Sequence, residues 1–410
     1  MRTNITLEEA LEILLRQSPP IESIHVPLLE SVGGVLAEDV FCDVNMPPFD
    51  KSPLDGYAVR SEDIKNASRD EPIILEVVDF IPAGYMSRKK VSQNQAVRIM
   101  TGAKLPEGVD VVIRFEETNF TDQEVKIYNA YPSGANISRM GEDMEVGDLV
   151  LKAGSVIDAP EIGILATLGK GYVHVYRKPR VAILATGSEL LEIQQPLTEG
   201  KIRNSNSYTI AAQVKKLGAE PLMLGICDDD IETIKSRLKS TLGWADIIIT
   251  TGGVSVGDYD LAKEAFQEVG AEILFWRVKM KPGTPIAVAK YEDKLIFGLS
   301  GNPAAAYITF EQFVRPIIQK KAGKSTYKFM EVHSVLENEF NKISSQNRFV
   351  RAITYYKDRK YYTKLPEKHS SGVLSSLAGT NSLLYIPAGT GPYKAGEEIK
   401  VQLLNHPEVL

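Results

Sequence analysis

The chain is short of the residues that mark exported, disulfide-stapled or metal-clustered proteins. Its 410 residues include two cysteines, five histidines and two tryptophans. Cys42 and Cys227 lie far apart and fit no zinc or disulfide spacing, so both read as buried free thiols. His25, His174, His333, His369 and His406 fall in no motif, which removes support for a Ser-His-Asp triad and leaves them as structural or surface residues. No segment approaches the ~20 apolar residues of a membrane span, and the opening Met1-Arg-Thr-Asn-Ile-Thr-Leu-Glu-Glu holds no apolar signal region. A cytoplasmic protein without a membrane partner is expected. Positive charge is not in surplus either. With 47 Lys and Arg against 53 Asp and Glu the net charge is −6, which argues against general binding to nucleic acid or anionic membranes.

What is present is ordinary globular material, 43% apolar and 24% charged, enough for about two to four domains. Thr6-Leu-Glu-Glu9 is a capping box, and Leu7, Ala10, Leu11, Leu14 and Leu15 share one helical face that must dock on something. Between Pro72 and Tyr131 only short β-branched runs appear, at 73–78, 97–100, 109–113 and 125–128, predicting a mainly β region. A helix opening at Asp158, with Glu161 at N3, could pack on the first helix. From Arg180 strands and helices alternate: strands at 181–185, 221–224, 247–250, 273–278, 286–289 and 295–299, helices at 208–217, 231–242 and 261–269. A long helix runs from Asn302 (N-cap) and Pro303 (N1) to about Lys320. Such alternation builds a parallel, doubly wound sheet. Beyond Gly323 short strands return, enough for a small β-barrel or sandwich.

The expected architecture is therefore multidomain α/β plus β. It comprises a discontinuous α+β linking domain (1–45 with 144–177), a mainly β domain (46–143), a central doubly wound α/β domain (178–324) and a C-terminal β-barrel (325–410).

Chemistry concentrates where strands of the α/β region end. Ile247-Ile-Ile-Thr250 empties into Thr251-Gly-Gly-Val-Ser-Val-Gly-Asp-Tyr-Asp260, a Gly-rich turn carrying two carboxylates. Gly252, Gly253 and Gly257 let backbone N–H groups approach an anion, whereas Asp258 and Asp260 would repel one. A divalent cation between carboxylates and phosphates reconciles the two, although a plain strand-to-helix turn with solvated acids also fits. Thr186-Gly-Ser-Glu189 and Ser300-Gly-Asn-Pro303 leave other strand ends, and parallel strands put all three loops on one edge of the sheet. Thr186, Gly187, Ser188, Gly252, Gly253, Ser255, Asn302 and Pro303 are thus candidates for substrate binding. Arg277, Lys279 and Lys281 alternate. As a strand they would turn one basic face to an anion, or simply protect a sheet edge. Lys281, before Pro282-Gly283, is the firmer anion candidate. Asp55, in a loop rich in proline, is either a turn former or a presented carboxylate.

Met46-Pro-Pro-Phe-Asp-Lys-Ser-Pro-Leu-Asp-Gly-Tyr-Ala-Val59, Met100-Thr-Gly-Ala103, Gly141-Glu-Asp143, Thr186-Gly-Ser-Glu-Leu190, Thr251-Gly-Gly-Val-Ser-Val-Gly257 and Lys281-Pro-Gly283 together resemble the molybdopterin molybdenumtransferase family, MoeA, related to the E domain of gephyrin. The likeness runs along essentially the whole chain. It implies a homodimer of four-domain subunits that inserts molybdate into adenylylated molybdopterin and releases AMP with Mg²⁺ assisting. It also implies a catalytic set of Asp55, Thr101, Asp143, Glu189, Asp229 and Asp260, with Glu189 and Asp260 on the metal and Arg277 and Lys281 on anions. The cleft would lie between the α/β domain of one subunit and the β domain of the other. A molybdopterin adenylyltransferase is a possible upstream partner.

Some positions depart from the family pattern. Thr284 stands where many members carry Lys, Arg277 where Lys is common, and Ser300 where Pro often precedes Gly-Asn-Pro; Lys51 and Pro53 differ from the commonest form of the Asp55 loop. Two alternatives remain: a molybdopterin adenylyltransferase, although the central loop lacks that group's Gly-Gly-Thr-Gly and later Arg-Asp, and a gephyrin-like scaffold, although the fused domains and long linker of that role are missing.

Overall fold

Burial on both faces of one seven-stranded sheet accounts for the continuous apolar runs between residues 180 and 299. The computed structural model describes residues 2–253, 261–368, 370–405 and 408–409. The strands of this sheet, labelled along the chain, are β1 (Arg2–Ile5), β2 (Arg180–Thr186), β3 (Glu220–Cys227), β4 (Ile247–Thr251), β5 (Glu272–Val278), β6 (Ala287–Tyr291) and β7 (Lys294–Leu299). Their order is β1-β5-β6-β7-β4-β2-β3. The block β7-β4-β2-β3 is parallel, whereas β6 is antiparallel to both neighbours.

Side-chain alternation divides each strand between two cores. Val181, Ile183, Ile247 and Ile249 enter one, with Ile210 and Val214. Ala182, Leu184 and Ile248 enter the other, with Ile234, Leu238 and Phe266. The helices concerned, named along the chain, are α1 (Leu7–Arg16), α2 (Ala159–Thr167), α3 (Asn206–Lys216), α4 (Ile231–Leu242) and α5 (Leu261–Glu268). A sheet covered on both faces has no room for polar alternation, which is why these strands read as unbroken apolar runs.

The amino terminus behaves differently from expectation. Residues 2–5 form the parallel edge strand β1 against β5, a pairing with no sequence signal because only Ile5 of the four is buried. The capping box of α1 is realised, Thr6 Oγ1 accepting from Glu9 N and Glu9 Oε2 from Thr6 N. Its buried Ala10 and Leu14 join the α/β core rather than a separate core with α2. The β1 pairing explains this, since it anchors α1 at the edge of the sheet.

The long helix predicted after Asn302 is interrupted. It runs as α6 (Pro303–Thr309), a π-helical turn (Phe310–Val314) and α7 (Arg315–Lys321). Pro316 supplies the reason: it has no N–H for the carbonyl four residues back and its ring crowds that carbonyl, so the helix widens there.

The carboxyl-terminal strands β8 (Met330–Leu336), β9 (Asn347–Lys357), β10 (Lys360–Lys364), β11 (Ser382–Ile386) and β12 (Glu398–Leu403) close into a five-stranded barrel, β9-β10-β8-β12-β11 and back to β9. Leu336, Val350, Leu384 and Val401 fill it, and the buried hydroxyls of Ser334, Thr354, Thr363 and Ser382 hydrogen-bond to one another. Each buried hydroxyl thus has a partner, as burial requires.

By internal contacts the chain forms two units. One is Met1–Glu38, Gly154–Ile162 and Gly171–Leu410; the other is Asp39–Ala153 and Gly163–Lys170. The second holds a six-stranded sheet in the order 111–114, 56–59, 95–99, 73–81, 124–127, 118–120, with apolar clusters on its two faces. Cys42 and Cys227 are both buried and unpaired. Among the described residues no helix is long and apolar enough to cross a membrane.

Candidate active-site cleft

Chain order reverses direction about β2: β3 follows on one side of it and β4 lies on the other. The crevice beyond the carboxyl ends of β2 and β4 is therefore a topological switch point, where open α/β sheets hold ligands. A cleft of about 620 Å³ lies there. Its lining includes Thr186, Gly187 and Glu189 after β2, Asp229 after β3, Thr251, Gly252 and Gly253 after β4, and Ser300, Gly301, Asn302 and Pro303 after β7. The three loops singled out in the sequence do share one cleft.

Glycine is needed at the centre. Gly252 has φ +94°, and a Cβ there would stand 2.1 Å from the carbonyl oxygen of Thr186. Gly252 N donates to Leu299 O at 3.1 Å, so this one residue knits the ends of β2, β4 and β7 together. Gly187, next to Thr186, leaves room for the Glu189 carboxylate, whose Oε2 would lie 2.6 Å from an added Cβ.

The acids take different roles. Asp230 caps α4, accepting from Thr233 N at 2.9 Å and from Thr233 Oγ1 at 2.6 Å, and those bonds hold its carboxyl below the usual range. Asp229 is exposed and lines the cleft. Asp230→Ala is expected to lower the thermal unfolding midpoint while turnover stays unchanged, and Asp229→Asn to lower turnover while the midpoint stays unchanged. Since the Asp230 carboxyl is depressed in the fold, its stabilisation is present above about pH 4 and is lost as pH falls through the folded value. The stability difference between wild type and Asp230→Ala should therefore shrink in acid, as thermal melts at several pH values would read. Just before the acidic run, burial pushes the Cys227 thiol up to about 11, which keeps it protonated and unreactive at neutral pH.

Several lining residues were passed over in the sequence. Arg203, Asn204 and Ser205 precede α3 and Asn206 opens it, and Gly372 belongs to the barrel segment whose Ser371 carbonyl accepts from Ala304 N. Asn206 Nδ2 donates to Gly301 O at 2.8 Å, tying the start of α3 to the loop after β7. The signal was available: Asn204-Ser-Asn-Ser207 before a helical period is the same small polar pattern that marked the other loops.

Other candidates lie elsewhere. Arg277, Lys281 and Ser188 are not among the residues lining this cleft. The expected basic face of alternating residues is interrupted, because Arg277, one residue before the end of β5, adopts φ +62° and stacks its guanidinium 4.0 Å over the Trp276 ring. Lys281 continues in a two-residue strand beside β9 of the barrel. Thr284 spends its hydroxyl on Met280 O at 2.6 Å. Ser255, Gly257, Asp258 and Asp260 fall outside the described residues.

In the second unit Asp55 Oδ1 accepts from both Thr101 N and Thr101 Oγ1 at 2.7 Å. The Thr101 hydroxyl, then its N–H, with the Arg98 charge adding a little, hold the Asp55 carboxyl below its ordinary range. Asp143 lines a separate hollow of about 490 Å³ with Lys51, Ser138 and Glu142. Gly56, beside Asp55, allows the 56–59 strand to approach Ile113 O so closely that a Cβ would stand 1.9 Å away.

Known proteins match this chain along its length. Residues 5–169 match the MoeA N-terminal region (domain I and II), 182–320 the "probable molybdopterin binding domain", and 334–404 the MoeA C-terminal region (domain IV). The molybdopterin molybdenumtransferases of Staphylococcus epidermidis and Bacillus subtilis are each 40% identical to it, over 98% of this chain and 96% and 95% of theirs. The crystal structure of a molybdopterin biosynthesis MoeA protein from Pyrococcus horikoshii superposes with a TM-score of 0.83 at 32% identity, covering 98% of this chain and all of that one. With its loops, sheet and barrel in the family's order, the chain belongs to the MoeA family of molybdopterin molybdenumtransferases.

Proposed function

We propose that this enzyme inserts molybdate into adenylylated molybdopterin, releasing AMP and yielding molybdenum cofactor, in the cleft at the ends of β2, β4 and β7. The observation that carries the proposal is the meeting of three glycine- and hydroxyl-bearing loops with Glu189 and Asp229 in that cleft. The Gly253 backbone N–H and the Ser300 hydroxyl suit phosphate oxygens, while the N–H groups of Gly187, Gly252 and Asn302 bond to Cys227 O, Leu299 O and Ser300 Oγ and hold the loops in shape around them. The described lining contains carboxylates and no imidazole or thiol, a donor set that fits Mg²⁺. Glu189 and Asp229 would hold that ion together with Asp260, and it would supply neutralisation of charge on the pyrophosphate as AMP departs.

The remaining groups follow the same logic. Lys281 and Arg277 serve the anionic substrates, and Ser188 and Ser255 extend the phosphate-binding loops. Asp55 remains ionised at neutral pH, which suits it to orientation and charge rather than to accepting a proton. Within this reading the domains divide as 1–45 with 144–177, 46–143, 178–324 and 325–410. Two subunits form each enzyme, so that Asp55, Thr101 and Asp143 of one serve the α/β cleft of the other, and the protein acts in the cytoplasm downstream of an adenylyltransferase. The test is product formation. Supplied with adenylylated molybdopterin, molybdate and Mg²⁺, the protein should yield a cofactor that activates a molybdenum-free apoenzyme, and failure to do so would overturn the proposal.

A further inference from the structure

Three side chains able to ligate a metal meet outside the switch-point loops. The antiparallel ribbon of 23–27 and 172–176 places His25 directly opposite His174, and their rings stack at 4.3 Å with an interplanar angle of 6°. Glu38 arrives from a third stretch of chain, fixed by the bond from Ala37 N to His174 O at 3.0 Å and by the bridge between Leu36 and Val175. Its carboxylate lies 3.5 Å from His174 Nδ1. That nitrogen is buried and makes no hydrogen bond. One donor atom from each of the three residues lies within 4.8 Å of the other two.

From this geometry we propose that His25, His174 and Glu38 form a binding site for a first-row transition-metal ion of the zinc class. Two nitrogens and an oxygen bound to one tetrahedral ion sit about 3.4 Å apart, given metal–ligand bonds of about 2.1 Å. To reach that value the two imidazoles must turn out of their stack about χ1 and χ2, so that their in-plane nitrogen lone pairs converge on one point. Both imidazoles project from one face of the ribbon because they are cross-strand partners, so the backbone register itself holds them together. The donor set decides the metal: imidazole suits zinc, nickel, cobalt and copper, whereas magnesium and calcium take oxygen ligands. His174 Nδ1 gives a second, independent indication. A buried ring nitrogen with no hydrogen bond gains a partner when a cation stands between it and Glu38. The Glu38 side chain, 61% exposed, forms the open side through which the ion enters. The site uses none of the switch-point residues, so its occupant is distinct from any ion the reaction needs.

Cobalt(II) titration of the chelator-stripped full-length protein, in excess Mg²⁺ to saturate oxygen-ligand sites, tests the proposal. One equivalent should bind with visible d–d absorption, and zinc should displace it. His25→Ala and His174→Ala should each weaken binding by more than about 100-fold, and Glu38→Gln by about 10-fold. His25→Gln and His174→Gln, checked for folding by circular dichroism, repeat the test if the alanine variants misfold. Absence of stoichiometric binding by the wild-type chain would overturn the proposal without any variant. So would binding that persists unchanged in a folded His174 variant.

Discussion

Glu189→Gln and Asp55→Asn should each depress molybdate-dependent AMP release by about 100-fold or more, and a heterodimer of the two should recover about half of the wild-type rate. The two carboxylates occupy different units of the chain, Glu189 in the switch-point cleft and Asp55 on Thr101 in the other. If the working cleft takes Glu189 from one subunit and Asp55 from its partner, the heterodimer carries one site with both lesions and one with neither. Co-expression with two affinity tags isolates that species. Were each cleft built from a single subunit, both sites of the heterodimer would carry one lesion, and activity would stay near the homodimer level. The glutamine and asparagine changes keep size and hydrogen-bonding capacity, so the loss reads charge rather than packing. Wild-type urea midpoints for both homodimers would establish that neither lesion acts through folding.

Gly252→Ala should abolish turnover by a different route. The added methyl group meets the Thr186 carbonyl at 2.1 Å, well inside contact distance, and the backbone already sits at φ +94°. Left-handed strain alone costs about 1–3 kcal/mol for an L residue. Relief of the clash requires the ends of β2 and β4 to part, and a misplacement of about 1 Å in a positioned site costs about 100-fold in rate. Gly253→Ala is a useful contrast, because its added Cβ would meet the Thr186 hydroxyl at 3.1 Å rather than a carbonyl at 2.1 Å. The account expects a smaller loss there. Equal, near-wild-type rates in both variants would show that the backbone of this turn does not set the cleft.

Much of the cleft was legible because the physics is local. Strand ends followed by glycine and hydroxyl residues announce themselves, and parallel order brings them to one edge, so the sequence alone groups Thr186, Gly187, Glu189, Gly252 and Asn302. Asp229 is assigned over Asp230 by counting back from Asp246, and the Thr233 hydrogen bonds that occupy Asp230, with Asp229 on the cleft wall, agree with that choice. Strand β1 was invisible because edge pairing uses main-chain groups and left only Ile5 buried. The basic alternation at 277–281 leaves two readings open, and a single left-handed residue, Arg277, breaks the period that would place side chains on one face. No sequence motif joins the histidines, although His25 and His174, 149 residues apart in sequence, lie opposite one another in a ribbon. Such a pairing is a property of register, which sequence spacing does not carry.

The most direct test of the account is AMP release by the purified protein from adenylylated molybdopterin, followed as molybdate is added. The account predicts little AMP before molybdate and one AMP for each molybdenum inserted afterwards, with the signal lost in Glu189→Gln. AMP release indifferent to molybdate, or adenylylation of free molybdopterin from ATP in its place, would contradict it.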